Sequence, residues 1–293
     1  MYEQISSNVR RSYFIIFAFI VLIGLLGYAL AEYTGAPELF PLAVVFAIAT
    51  STISYYQSDK IVLGISQARP ATREENAFLI NSVEGLAIAA GIPTPRLYII
   101  DDTAPNAFAT GRNPENAVIC VTTGLIQKLN RAEIEGVLAH EMAHIKAYDI
   151  RLMTLAAVLA GTIVLLADWM RRTMWLDAGR DRRGRGAFSP FVLVIVLAAA
   201  LLAPLIASLM QLALSRRREY LADAQGALLT RYPEGLASAL EKIAADPEPL
   251  EAANKATAHM YIYNPLRDYR GWLNSLFSTH PPIEDRIRRL REM

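Results

Sequence analysis

Cysteine occurs once in this 293-residue chain, at Cys120 inside an apolar run. A lone thiol excludes an internal disulfide and a cysteine-rich zinc finger, and its surroundings read as those of a buried bystander. Histidine is scarce, with four in the whole chain. Net charge is close to zero, at +1, so no global field favours a nucleic-acid partner. Internal repeats and low-complexity tracts are absent. Four long apolar stretches carry almost no polar residues, which argues against a small transporter, whose pathway needs them.

Those stretches hold the excess behind a 53% hydrophobic content. They run from about 13 to 31, 39 to 56, 152 to 169 and 191 to 214, and each is long enough to be a membrane span. Asp168 lies near the end of the third, and Pro204 lies inside the fourth, where it kinks a helix without forbidding a span. Arg10-Arg11 before the first stretch and Ala29-Leu30-Ala31 at its end imitate a signal peptide. The apolar core is too long for that, and a second apolar stretch follows at once, so the first reads as an uncleaved anchor.

Basic residues set the orientation. The short loop 32–38 has none, whereas Arg10, Arg11, Lys60, Arg69, Lys146, Arg151 and Arg216-Arg217-Arg218 collect on the opposite side. The N-terminus and the segment around residue 140 are therefore expected in the cytoplasm. The loop between the third and fourth stretches carries Arg171, Arg172, Arg180, Arg182, Arg183 and Arg185 against this rule. Whether these two stretches cross or only dip into the bilayer is open.

Residues 57–71 read as a polar connector and 72–90 as a helix stopped by Gly91, Pro93 and Pro95. Runs at 96–100, 106–110 and 117–122, punctuated by Asn113-Pro114, predict short strands in a meander and hence a small antiparallel sheet. Asn130-Arg131-Ala132-Glu133 is a capping-box signature opening the next helix. Further helices are expected over 233–245 and from about 282 to the end.

The helix after Asn130 carries His140-Glu141-Met142-Ala143-His144, an H-E-x-x-H pattern. At i and i+4 both imidazoles leave one helix face and can grip one cation, with Glu141 placed to act on a metal-bound water. Hydrolysis of peptide bonds at zinc is the chemistry this offers. A catalytic zinc needs a third protein ligand and an open position. The extended motif with a third histidine is excluded, because Ala147 and Ile150 stand where it needs glycine and histidine. His259 and His280 remain as nitrogen candidates, although His259 among tyrosines reads as packing. The other option is a carboxylate from a second helix. Glu219 and Asp223 lie one turn apart in Ser-Arg-Arg-Arg-Glu-Tyr-Leu-Ala-Asp at 215–223, so one can bind metal while the other holds a histidine N–H. Asp149 and Arg286 offer ion-pair support.

With these motifs, Asn106-Ala107-Phe108-Ala109-Thr110-Gly111 and Thr279-His280-Pro281-Pro282 followed by Arg286, the chain resembles the HtpX-type membrane zinc metalloproteases of peptidase family M48, relatives of the Ste24 CAAX-prenyl proteases. The resemblance covers nearly the whole chain. It implies His140, His144 and Glu219 as ligands of one zinc ion, Glu141 as general base and Asp223 as the carboxylate behind a ligand. It also implies that Asn106, Ala107 and Phe108 lie along the substrate cleft and that His280 lies near the scissile carbonyl.

The expected fold is a mainly α membrane protein with about four transmembrane or membrane-associated helices and a zincin-like catalytic domain containing the small antiparallel sheet. Its parts are a membrane hairpin over 1–56, catalytic segments over 57–151 and 215–293, and a second membrane hairpin over 152–214. The expected function is a multi-pass endopeptidase of the cell (inner) membrane, with no nucleic-acid partner. If the fourth stretch continues as helix, the metal lies about 7–8 Å above the bilayer, with Arg216, Arg217 and Arg218 at lipid headgroups. Substrates would then be membrane or misfolded polypeptides cut at the cytoplasmic face, and the resemblance suggests a stress response. A catalytically dead scaffold that kept a structural zinc is the rival reading.

Overall fold

A computed structural model describes residues 2–178, 216–251, 257–263 and 281–293. Ten α-helices and four short strands follow one another among these residues. The membrane part is α1 (Tyr2–Thr34), α2 (Leu39–Tyr56) and α7 (Asp149–Ala178). Windows of these helices at Ile5–Glu32, Leu39–Tyr56 and Asp149–Leu166 are long and apolar enough to cross a membrane. The first three apolar stretches of the sequence fall on them. The fourth, at 191–214, and most of the arginine-rich loop lie outside the described residues.

The three helices share one apolar seam. Phe19 and Ile23 of α1 and Ala47 of α2 pack with Leu152, Leu159 and Ile163 of α7. Phe14, Phe17 and Leu25 of α1 and Leu42 and Val45 of α2 are instead largely exposed. Aromatic and aliphatic side chains in a band are costly against water and at home against acyl chains. The α7 window differs, being 72% buried within the protein. It is the central pillar against which α1, α2 and the sheet region lean.

The rest of the described chain begins after α2. Residues 57–71, expected as a polar connector, instead hold α3 (Ser58–Ile65) and the two-residue strand β1 (Arg69–Pro70). Val62 and Leu63 drive this helix into the core beneath the sheet, while Lys60 stays exposed. Helix α4 (Arg73–Ala90) ends on Gly91 in the left-handed conformation, as expected. Then come β2 (Arg96–Ile100), β3 (Ala107–Thr110), β4 (Val118–Thr122), α5 (Thr123–Lys128) and α6 (Arg131–Lys146).

The sheet is small, as expected, but mixed rather than purely antiparallel. Its order is β1-β2-β4-β3, with β1–β2 and β3–β4 antiparallel and β2–β4 parallel. The reason is the tight return at Asn113–Asn116. It sends β4 back between β2 and β3, and β2 already runs in the direction of β4. In consequence β3 becomes an edge strand, facing α6.

Two further helices complete the core: α8 (Arg216–Thr230) and α9 (Pro233–Ala245), with α10 (Ile283–Arg291) packed on them. Asn130 and Glu133 form the reciprocal capping box expected at the start of α6. Glu133 also accepts from Ser238 Oγ at 2.7 Å and Lys242 Nζ at 2.8 Å, so the same carboxylate bolts α6 to α9. Leu138, Met142 and Ile145 of α6 lie in the main core with Leu236 and Leu240 of α9.

Candidate metal centre

Helix α6 presents His140, Glu141 and His144 to the interior, all three at least 95% buried. Opposite them α8 presents Glu219 and Asp223, equally buried. The two helices approach closely because α8 has Gly226 at the crossing. A Cβ built there would lie 3.0 Å from the His140 backbone nitrogen and 3.2 Å from its Cα. Gly226→Ala is therefore expected to push the helices apart, lowering the thermal midpoint and weakening metal binding together. The change is read by thermal unfolding and metal content, and overpacking of this kind costs about 1–3 kcal/mol.

The histidine Nε2 atoms face each other at 3.1 Å. Glu219 Oε1 lies 3.5 Å from His144 Nε2, and Oε2 lies 3.9 Å from His140 Nε2. Ligands about 2.0–2.1 Å from a tetrahedral zinc stand roughly 3.3–3.4 Å apart. The three groups match that spacing, and among the described residues they are the set of three that converges on one point. Two imidazole lone pairs and a carboxylate aimed at a common buried point are a donor set that asks for a cation, so the residues present fit a zinc ion.

Each ring is aimed from behind. His140 Nδ1 lies 2.9 Å from Asp223 Oδ1, and His144 Nδ1 lies 3.1 Å from Asp149 Oδ2. Carboxylates on Nδ1 select the tautomer that leaves Nε2 free for metal. Asp223 is itself held in a fork by Arg286, whose Nε and Nη2 donate to its two oxygens at 2.8 and 2.7 Å. Arg286 Nη1 donates to the Ile262 carbonyl at 3.1 Å and lies 3.6 Å from Glu219 Oε2. This guanidinium, fully buried, is the counter-charge of Asp223 and Glu219.

Asp149 reaches His144 because the chain reverses sharply between α6 and α7. Tyr148 takes a left-handed φ of 60°, unusual for a side chain with a Cβ. The other Asp149 oxygen, Oδ1, accepts from Asn8 Nδ2 of α1 at 2.7 Å and from Arg218 Nη1 of α8 at 3.3 Å. Arg218 thus turns inward to the site and not to lipid headgroups as expected. Arg216 and Arg217 remain exposed.

Electrostatics follow from burial. Burial pushes the Glu141 carboxyl up to about 7, with His144 pulling against the rise and Glu219 adding to it. Burial disfavours the charged His144 ring, but Asp149 and Glu219 outweigh it and raise the group to about 9. Burial and the neighbouring His144 lower His140 against the pull of Asp223. For Asp223 burial works upward, and Arg286 overrides it, holding the acid at about 2.

The β3 residues lie beside this centre in different roles. The Ala109 backbone lowers the Glu141 carboxyl against the rise from burial, an influence that no motif in the sequence announces. Asn106 Nδ2 donates to the Tyr263 carbonyl at 3.0 Å, and its Oδ1 accepts from the Ala107 N–H at 3.1 Å. The Ala107 carbonyl accepts from the Ile262 N–H at 2.9 Å. Phe108 points away, edge-on to the Tyr261 ring with centroids 4.9 Å apart. The outer edge expected to receive substrate is therefore already held by the chain itself at Ala107. His259 is buried, with Nε2 3.1 Å from the Met153 carbonyl, in keeping with packing. His280 lies outside the described residues.

Known proteins share this arrangement's sequence and fold. The family model for Peptidase family M48 matches residues 73–293. The "Protease HtpX homolog" of Dictyoglomus turgidum is 50% identical over 293 residues, covering 100% of this chain and 94% of its own length. That of Thermoanaerobacter pseudethanolicus is 47% identical over 299 residues, covering 100% and 98%. A crystal structure of S. mikatae Ste24p superposes with a TM-score of 0.52 at 20% identity, covering 99% of this chain and 67% of that one. That likeness speaks to the fold alone. The match to the family over three quarters of the sequence, and full-length relatives at half identity, carry the conclusion that this chain belongs to peptidase family M48, as a membrane-bound metalloprotease of the HtpX type.

Proposed function

We propose that the protein is a zinc-dependent endopeptidase that cuts polypeptides at the cytoplasmic face of the cell membrane. The observation carrying this reading is the convergence of His140, His144 and Glu219 within ligand spacing, with Glu141 beside them in a buried niche. In this reading these three residues hold the metal. Asp223, Asp149 and Arg286 hold the ligands. The catalytic part comprises 57–151 and 215–293, interleaved with membrane segments over 1–56 and 152–214.

The chemistry that zinc supplies when bound is Lewis-acid polarisation of the peptide carbonyl and a lowered water pKa. Glu141 removes a proton from the attacking water and returns it to the leaving amine. Burial raises its carboxyl above the ordinary range, which favours both taking up and handing on a proton. His280 donates to the oxygen that gains charge as the carbonyl is attacked. An extended substrate pairs with β3 on the Ala109 side, because Ile262 holds the Ala107 side. Backbone pairing gives affinity with little sequence selectivity, which suits clearance of misfolded membrane proteins under stress.

Removal of metal tests this reading. Purified protein is expected to hold one zinc per chain and to digest an unfolded casein-type substrate. A chelator is expected to stop digestion, and added zinc to restore it. Digestion that survives complete loss of metal would overturn the mechanism.

A further inference from the structure

A membrane helix reaches the metal centre. Asn8, on the first turns of α1, is 3% exposed and lies 139 residues from Ala147, whose carbonyl accepts from Asn8 Nδ2 at 2.9 Å. The same amide nitrogen donates to Asp149 Oδ1 at 2.7 Å. Its Oδ1 accepts from Arg218 Nη1 at 3.3 Å. Both amide protons and the carbonyl of Asn8 are thus committed, two of the three contacts to groups that bear on Asp149. We infer that Asn8 is a positioning residue: by clamping Oδ1 of Asp149 it aims Oδ2 at His144 Nδ1 and so fixes that ring for metal.

The argument is geometric. A carboxylate with one oxygen on an imidazole can still pivot about its χ2 axis and let the ring follow. Here two donors from two different helices, Asn8 of α1 and Arg218 of α8, pin the far oxygen. The relay Asn8–Asp149–His144 has links of 2.7 and 3.1 Å, each within hydrogen-bond range. Partners of this kind behind a metal-bound histidine are worth about 10–100-fold in metal affinity. The apolar part of α1 needs none of this for anchoring, since its packing seam begins further along, at Ile15. The inference rests on the proposed role of His144 as a zinc ligand.

The test uses the full chain in detergent, with zinc affinity measured by chelator competition and apoprotein folding followed by thermal unfolding. Asn8→Ala and Asn8→Asp are both expected to weaken zinc about tenfold. The aspartate keeps the volume and loses the donor. Ser12→Ala removes a hydroxyl that bonds the Asn8 carbonyl within the same helix, and it is expected to bind zinc as the wild type does. In an Asp149→Ala background, Asn8→Ala is expected to add nothing, because its effect passes through Asp149. Wild-type affinity in Asn8→Asp would reduce the residue to packing and overturn the inference, as would additive loss in the double variant. A wild type that binds no zinc would overturn the metal reading and this inference with it.

Discussion

Glu141→Gln is expected to lower peptide hydrolysis by about 10²–10⁴-fold while zinc stays bound at one per chain. The substitution keeps size and shape. None of the proposed ligands His140, His144 and Glu219 is touched. What is lost is the ability to take a proton from water and deliver it to the amine. Turnover of a casein-type substrate, with metal content determined on the same preparation, separates the effects. Full turnover in this variant would remove Glu141 from the mechanism. Loss of metal would mean that it serves the site and not the reaction. The rival reading of the sequence, a scaffold with a structural zinc, predicts unchanged behaviour in every cellular assay.

The largest stability effect is expected at Arg286. Arg286→Leu leaves Asp223 and Glu219 as buried carboxylates without the fork that neutralises them. Stranding one partner of a buried pair costs about 3–5 kcal/mol. Replacing both Arg286 and Asp223 by leucine is expected to cost less, because no charge is then left alone. Unfolding in detergent, read as the midpoint of a thermal or denaturant curve, measures both. The pair also predicts acid lability. Asp223 is depressed to about 2 in the folded protein from an ordinary 3.8, so its contribution is complete above that ordinary value. It drains away as pH falls through the window between the two. Arg286→Leu is expected to flatten that part of the stability profile.

Much of this was readable in order of residues, because the signals are local. The capping box at Asn130 and Glu133 fixes the start of α6 within four residues, and the histidine spacing within α6 needs only helical periodicity. The Glu219/Asp223 pair is again one helical turn. Contacts across the fold left no such trace. Whether Glu219 or Asp223 faced the metal depended on where α8 crosses α6, which Gly226 decides. Asn8 belongs to no motif, and its partners stand 139, 141 and 210 residues away. The hydrophilic start of α3 hid a two-turn helix, since Ser58, Asp59 and Lys60 mask the apolar face that follows. The parallel β2–β4 pair escaped a meander reading because β2 and β3, consecutive in sequence, are not paired in this sheet.

The order of these parts along the chain has a consequence for biosynthesis. Both imidazoles lie ahead of α7 and the Glu219 carboxylate lies behind it. A ribosome therefore releases the membrane helices α1 and α2 first, then the histidine half, then α7, and only then the acidic half. The two halves of the candidate centre meet only where α8 crosses α6 at Gly226. In the proposed reading, a chain released only as far as α7 carries two of the three metal-holding residues, so hydrolysis is expected only once α8 has followed.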